Sequence, residues 1–393
     1  MELSAIGLFL VAGVASLFMA WVIGAGSSGA TPFAPAVGAN AISTMRAAFV
    51  VGIFGFAGAV VQGANVSEAV GRGLVGGVSL PVAGVIVVLL VGAGLMAVGI
   101  ATGYPIATAF TVTGSVVGVG LALGGTPVWS KYVQIGAVWV LTPFVGGGLA
   151  YGIASVLPRQ DVPERYSVPV LAGVVAAVLA NVEFAYLGPG SAAGSLVATV
   201  QRAVGADGLG AAIAVSSLVA LAVGGFVSWD VRRNAADGLR RVLLALGSLV
   251  AFSAGGSQVG LAVGPLVPLL DAVTVVPVVA VLVGGGVGML VGSWTGAPRM
   301  IKSLARDYSS LGPRRSIAAL VPSFLIAQVA VLLGVPVSFN EIVVSAIVGS
   351  GAAVGGGDAV SVRKLGVTVG AWAGSFGLAF LLGYGAVTLL PVA

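Results

Sequence analysis

Two short polar clusters interrupt long apolar stretches of this sequence. The first is AGSSGAT, with Ser27, Ser28 and Thr31; the second is SAGGSQVG, with Ser253, Ser257 and Gln258. Two more hydroxyls stand just behind prolines, Thr108 after Pro105 and Ser338 after Pro336. Such residues make and break no covalent bonds without a base beside them, but they can hold a small anion. Proline is at home in the first turn of a helix, where its missing N–H costs nothing. The head of a helix offers free N–H groups and a partial positive charge, both suited to an anion. Ser27, Ser28, Thr31, Thr108, Ser257, Gln258 and Ser338 are therefore the expected substrate-binding set. One acid, Glu341, falls close behind Ser338. A carboxyl inside a membrane is a functional candidate by default, and Glu341 is the expected group for a coupling ion. Desolvation and a helix head act on its protonation in opposite senses.

Composition removes other chemistries. The 393 residues include no Cys and no His, which excludes disulfides, thiolate nucleophiles and the usual zinc sites. No metal, no cofactor and no enzymatic activity are expected. Charged residues make up 7% of the chain, against about 25% in soluble domains, and 58% of residues are hydrophobic. A soluble protein of this length could not cover its surface so sparsely. The net charge of +5 is not a nucleic-acid footprint, because the basic residues are confined to a few loops. Leu3 onward lacks the basic leader of a cleavable signal and reads as a first spanning helix.

The elements that would position the polar clusters are membrane helices. Apolar stretches near the ~20 residues needed for a span lie at 3–23, 47–64, 79–101, 105–124, 133–157, 166–186, 208–229, 242–263, 272–294, 316–334, 337–354 and 365–391. The expected fold is an all-α polytopic membrane protein of about twelve transmembrane helices, some broken or halved. Self-similarity recurs at one offset. Gly103-Tyr-Pro105 corresponds to Gly334-Val-Pro336, Gly118 to Gly125 corresponds to Gly349 to Gly356, and the two polar clusters match nearby. Residues 1–157 and 240–393 are thus expected to be two copies, joined by two linking helices and a basic loop in 158–239. Each copy has an odd number of crossings, so the second should be inverted. With both termini outside, all 17 basic residues except Arg72, Lys131 and Arg202 fall inside, as membrane topology requires. Inverted repeats of this kind place a substrate near the bilayer midplane, where broken helices meet.

The motifs resemble those of the PiT-type inorganic phosphate transporters over nearly the whole chain. The similarity is carried by GAGSSGATPFAPAVGANA from Gly24, AGGSQVGLAVGP from Ala254, PIATAF from Pro105 and PVSFNE from Pro336. LGGTPVW and the GAVVQGANVSEAV stretch around Glu68 fit as well. The resemblance implies symport of an inorganic oxyanion across the cytoplasmic membrane: phosphate first, sulfate as its rival, with H⁺ or Na⁺ as the coupling ion. Lipid is the surroundings, and a homodimer is compatible with the reading. The family's motif differs here in the charged positions. Its two Asp are Ser28 and Gln258, its Asn positions are Ser27, Ser257, Thr31 and Leu261, and its helix-start His are Phe110 and Glu341. Loss of both acids points away from carboxylate-bound Na⁺ and towards H⁺ carried by Glu341. A channel or a structural membrane protein is the alternative class.

Overall fold

The computed structural model describes residues 3–157, 163–185, 187, 193–270, 276–355 and 360–390. Arg159, used above for sidedness, lies outside the described residues, as do the terminal residues. Hydrocarbon offers no hydrogen bonds to a backbone, so a chain this apolar must satisfy its N–H and C=O groups within helices. The helices are α1 (Leu3–Gly26), α2 (Ala34–Gly38), α3 (Thr44–Gln62), α4 (Ala64–Arg72), α5 (Val82–Thr102), α6 (Thr108–Ala122), α7 (Trp129–Val156), α8 (Glu164–Asn181) and α9 (Leu196–Val204). They continue with α10 (Leu209–Arg233), α11 (Ala235–Val263), α12 (Val267–Leu270), α13 (Val278–Thr295), α14 (Ala297–Arg306), α15 (Pro313–Leu332), α16 (Phe339–Gly355) and α17 (Val362–Leu389). Two short strands, β1 (Val75–Gly76) and β2 (Thr126–Pro127), pair antiparallel.

Nine helices among the described residues are long and apolar enough to cross a bilayer. They match nine of the twelve stretches expected from sequence. Of the others, 166–186 falls on α8, which carries Glu164 and Arg165 in its first turn. The stretches 105–124 and 337–354 fall on the shorter helices α6 and α16, with 15 and 17 residues. At 1.5 Å per residue these reach about 22 and 25 Å, short of the ~30 Å hydrocarbon core. Each is preceded by an extended lead-in, Tyr104–Ala107 before α6 and Val335–Ser338 before α16. Pro105 and Pro336 therefore do not open these helices, contrary to the sequence reading; they sit in the lead-ins, and the helices start at Thr108 and Phe339.

Packing recurs in matched pairs. Helix α1 lies along α13 as α11 lies along α3, and α3 lies against α13. Helix α1 packs on α5 as α11 packs on α15; α6 packs on α17 as α16 packs on α7. Helices α8 and α10 form a separate pair that joins the rest through α11 and α15. Small residues let these backbones approach, as membrane helices require in the absence of a hydrophobic drive between them. A methyl group at Gly24 would collide with the Met289 carbonyl, and one at Gly255 with the Gly55 carbonyl. This revises the expected break at Ala254–Val259. Helix α11 runs unbroken through it to Val263, because its glycines serve close packing on α3 rather than a turn. The first cluster is a true break: α1 stops at Gly26 and turns follow to Phe33.

Candidate functional site

The two polar clusters, far apart in sequence, touch. The Ser27 hydroxyl donates to Gln258 Oε1 at 3.2 Å, and Gln258 Nε2 donates to the Val337 carbonyl at 2.6 Å. Val337 belongs to the lead-in of α16, so one side chain links the end of α1, the C-terminal part of α11 and the head of α16. A second link comes from Asn340, in the first turn of α16. Its Nδ2 donates to the carbonyls of Gly26 at 3.2 Å and Ile106 at 2.7 Å. Ile106 lies in the lead-in of α6. The heads of both short helices and the end of α1 are thereby fastened into one hydrogen-bonded ring.

The hydroxyls in this ring divide into two kinds. Ser28 donates to the Ile23 carbonyl at 3.4 Å and Thr31 to the Ser27 carbonyl at 3.1 Å, so both are engaged with local backbone. Ser253 is engaged as well, donating to Leu249 and accepting from Gln328 Nε2 at 2.6 Å. By contrast, the hydroxyls of Thr108, Ser257 and Ser338 have no hydrogen-bond partner among the described residues, although all three are wholly buried. A buried hydroxyl without a partner is costly and uncommon. Helix α6 has no side-chain cap, and the free Ser338 hydroxyl does not cap α16. The first N–H groups of both helices are therefore unspent. The uncommitted hydroxyls and helix heads are neutral donors, and the ring holds no charged side chain.

Glu341 stands apart from the ring. It is 2% exposed, and its Oε2 has no partner among the described residues. Its carboxyl lines a cavity of about 810 Å³ between α7, α16 and α17, together with Phe110, Trp139, Phe144, Tyr151 and Trp372. Phe110, its counterpart in the sequence repeat, shares the same cavity and stacks on Trp139 with ring centroids 3.9 Å apart. The outer rim of the cavity carries Val140 and Phe144, both more than half exposed, as expected for side chains facing lipid.

Asn340 was not foreseen from the sequence. An Asn among apolar residues carries no periodic signal, yet here it satisfies the last carbonyl of α1 and one carbonyl of the α6 lead-in. A comparison of the two helix starts, PIATAF and PVSFNE, sets Asn340 against Ala109 and could have raised the question. No group of three or more His, Cys, Asp or Glu residues able to hold a metal occurs among the described residues.

Comparison with known proteins agrees with this architecture. A family model described as phosphate transporter family matches residues 23–383. Relatives with the provisional name phosphate permease occur in Thermococcus kodakarensis and Pyrococcus abyssi. The first is 26% identical over 360 residues, covering 86% of each chain; the second is 29% identical over 365 residues, covering 87% of this chain and 88% of the relative. The chloroplastic inorganic phosphate transporter 2-1 of Arabidopsis thaliana is 26% identical over 382 residues, covering 86% of this chain and 65% of its own. A solved structure described as the sodium-dependent phosphate transporter superposes with a TM-score of 0.80 at 21% identity, covering 98% of this chain and all of its own. At that identity the likeness establishes the fold.

Proposed function

The chain belongs to the phosphate transporter family, and from that premise we propose that it is a secondary carrier that moves inorganic phosphate across the cytoplasmic membrane. The observation that carries this reading is the set of buried, unpartnered hydroxyls: Thr108 and Ser338 at the heads of α6 and α16, and Ser257 within α11. A tetrahedral oxyanion has oxygens on every side and would accept from donors converging on it, including N–H groups at helix starts. Ser27, Ser28, Thr31 and Gln258 complete the substrate shell in this proposal. The family is one of carriers, not enzymes.

The carrier is built, in our reading, from two inverted copies, 1–157 and 240–393, with 158–239 linking them. The matched packing of α1 with α13 and α11 with α3 supports this. So does the direct bond between Ser27 and Gln258, which joins the two polar clusters that the sequence repeat sets against each other. The basic face, with Arg299, Lys302, Arg306, Arg314 and Arg315, is the cytoplasmic one. Glu341 carries the coupling proton: it is buried, unpartnered and one turn from Ser338, so its charge change would be felt at the head of α16. A rival reading has Na⁺ held by hydroxyls and backbone carbonyls, and is favoured by the name of the solved neighbour, which calls that protein sodium-dependent.

The test is uptake by purified protein in liposomes, with phosphate and sulfate offered under separate H⁺ and Na⁺ gradients. Saturable phosphate uptake driven by a proton gradient is expected. Uptake of sulfate in preference to phosphate would transfer the site to the other oxyanion. Flux that neither saturates nor follows a gradient would make the protein a channel.

A further inference from the structure

Two tryptophans and two lysines outside the ring repeat one arrangement. Trp139 Nε1 donates to the Pro336 carbonyl at 2.9 Å, and Trp372 Nε1 donates to the Pro105 carbonyl at 2.7 Å. Lys131 Nζ donates to the Gly334 carbonyl at 3.4 Å, and Lys364 Nζ donates to the Gly103 carbonyl at 3.4 Å. The grip is reciprocal: a lysine and a tryptophan on α7 hold the lead-in of α16, while a lysine and a tryptophan on α17 hold the lead-in of α6. The same eight-residue spacing separates lysine from tryptophan in both helices. The Pro105 and Pro336 carbonyls belong to the extended lead-ins, and Gly103 and Gly334 are the left-handed turn residues just before them. Pro105 and Pro336 are both buried, so the indole N–H groups satisfy acceptors that would otherwise be orphaned.

The lysine ends of the two grips lie at opposite ends of α6, while the two tryptophans meet along one cavity. Gly103 precedes its first turn, whereas Lys131 follows its last turn, beside the β1–β2 pair. They are also unequal. Lys364 pairs with Asp307 Oδ2 at 3.4 Å and lies 4.0 Å from the centroid of the Tyr104 ring; Ser303 donates to the same Gly103 carbonyl at 3.0 Å. Lys131 has Gln134 Oε1 at 3.1 Å as its additional partner. With both grips closed, the hydroxyls of Thr108, Ser257 and Ser338 are sealed from solvent.

On the carrier reading above, we infer that these are two latches, one on each membrane face, and that Trp139, Trp372, Lys131 and Lys364 are positioning residues that decide which face the site opens to. Releasing Lys364 and Trp372 frees the lead-in of α6 on the basic face. Releasing Lys131 and Trp139 frees the lead-in of α16 on the opposite face. Each latch acts through the carbonyl backbone of a helix head and touches no substrate.

The chain contains no cysteine, so a single Ser257→Cys reports access to the ring without background. Labelling by a membrane-impermeant thiol reagent is measured in right-side-out and inside-out vesicles. Trp372→Phe and Lys364→Met should each raise labelling from the basic face by roughly fivefold, the size expected for one hydrogen bond, and leave the other face unchanged. Trp139→Phe and Lys131→Met should do the reverse. The phenylalanine variants keep the ring packing and the methionine variants keep the aliphatic stem, so loss of fold in one class leaves the other to decide. Labelling that does not move in any variant, or that rises on the same face for both pairs, overturns the inference. Phosphate uptake is scored separately in liposomes. Side-specific labelling with no phosphate uptake by the wild-type protein would sink the carrier reading and leave the latches standing, whereas normal wild-type uptake with unmoved labelling would do the opposite.

Discussion

The contact between Ser27 and Gln258 can be tested for energy as well as for place. Both side chains are wholly buried, and their hydrogen bond spans α1 and α11 at 3.2 Å. Interhelical side-chain hydrogen bonds in membrane proteins average about 0.6 kcal/mol, with a ceiling near 1.7. The length of this bond, towards the upper end of the ordinary range, places it in the lower half of that interval. Ser27→Ala should leave Gln258 Oε1 without a donor and cost about 1 kcal/mol. Gln258→Leu should cost more, about 2 to 3 kcal/mol, because it also strips the Val337 carbonyl of its 2.6 Å partner. In the Gln258→Leu background, Ser27→Ala has no bond left to break and should cost close to nothing. The double variant is thus expected to be less destabilised than the sum of the singles by about 0.5 to 1 kcal/mol. Reversible denaturation of the four proteins in mixed detergent micelles, without phosphate, gives the cycle. Additivity to within about 0.3 kcal/mol, the behaviour of separated sites, would refute the claim that the two clusters form one ring.

Thr108→Val, Ser257→Ala and Ser338→Ala each remove a hydroxyl with no partner; stability should stay within about 0.5 kcal/mol while phosphate binding weakens about tenfold or more, as for a lost hydrogen bond to a charged acceptor. Equal losses of stability and affinity, measured by unfolding and by calorimetric titration, would mean that these hydroxyls only pack. Gly255→Ala should abolish folded protein in size-exclusion chromatography, since its methyl meets the Gly55 carbonyl, whereas Gly370→Ala in α17, with open space around it, should be neutral or stabilising by up to about 1 kcal/mol. Glu341→Gln keeps the size of the side chain but cannot titrate: proton-driven phosphate uptake should fall strongly while exchange between equal phosphate pools persists, and unchanged proton-driven uptake would remove Glu341 from the coupling role.

Much of this was legible in the sequence because membrane solvation acts on composition directly. A run of apolar residues long enough to cross hydrocarbon has few options but a helix, and among the described residues nine such helices stand where the apolar stretches lie. The repeat set the two polar clusters against each other, Ser27 with Ser257 and Ser28 with Gln258, whereas the bond that joins them runs from Ser27 to Gln258. The register of the short helices was less legible. Proline at a helix head suggested starts at Pro105 and Pro336, but the carbonyls of those residues are held by Trp372 and Trp139, which keeps the lead-ins extended for three more residues. These partners were hidden by a slip in the repeat. Gly103 and Gly334 are 231 residues apart, whereas Lys131 and Lys364, like Trp139 and Trp372, are 233 apart. A search at one offset passes over them. The glycines of Ala254–Val259 misled in another way, since a glycine that loosens a helix and one that admits a neighbouring backbone look alike until the neighbour is in place.

The ring also bears on why a carrier of this make would take a cation with its anion. The motif resemblance sets Ser28 and Gln258 where it implies acids, and every side chain in the ring is neutral. Phosphate brought into it would be met by hydroxyls, amides and helix heads, which solvate negative charge but do not cancel it. An uncompensated charge in a low-dielectric interior is costly by several kcal/mol even after relaxation. A carboxylate at Glu341, beyond the ring on the same helix, would add to that cost, while its protonation would remove the repulsion. On the proposed reading, loading the proton and loading the anion therefore favour each other without sharing a ligand. The coupling is electrostatic and acts through the head of α16. It requires that phosphate raise the apparent proton affinity of Glu341, and by linkage that acidification strengthen phosphate binding. Phosphate affinity that is independent of pH in the wild type, at a fixed ionisation state of the anion, would break that link and return the coupling to a sodium ion held by the hydroxyls.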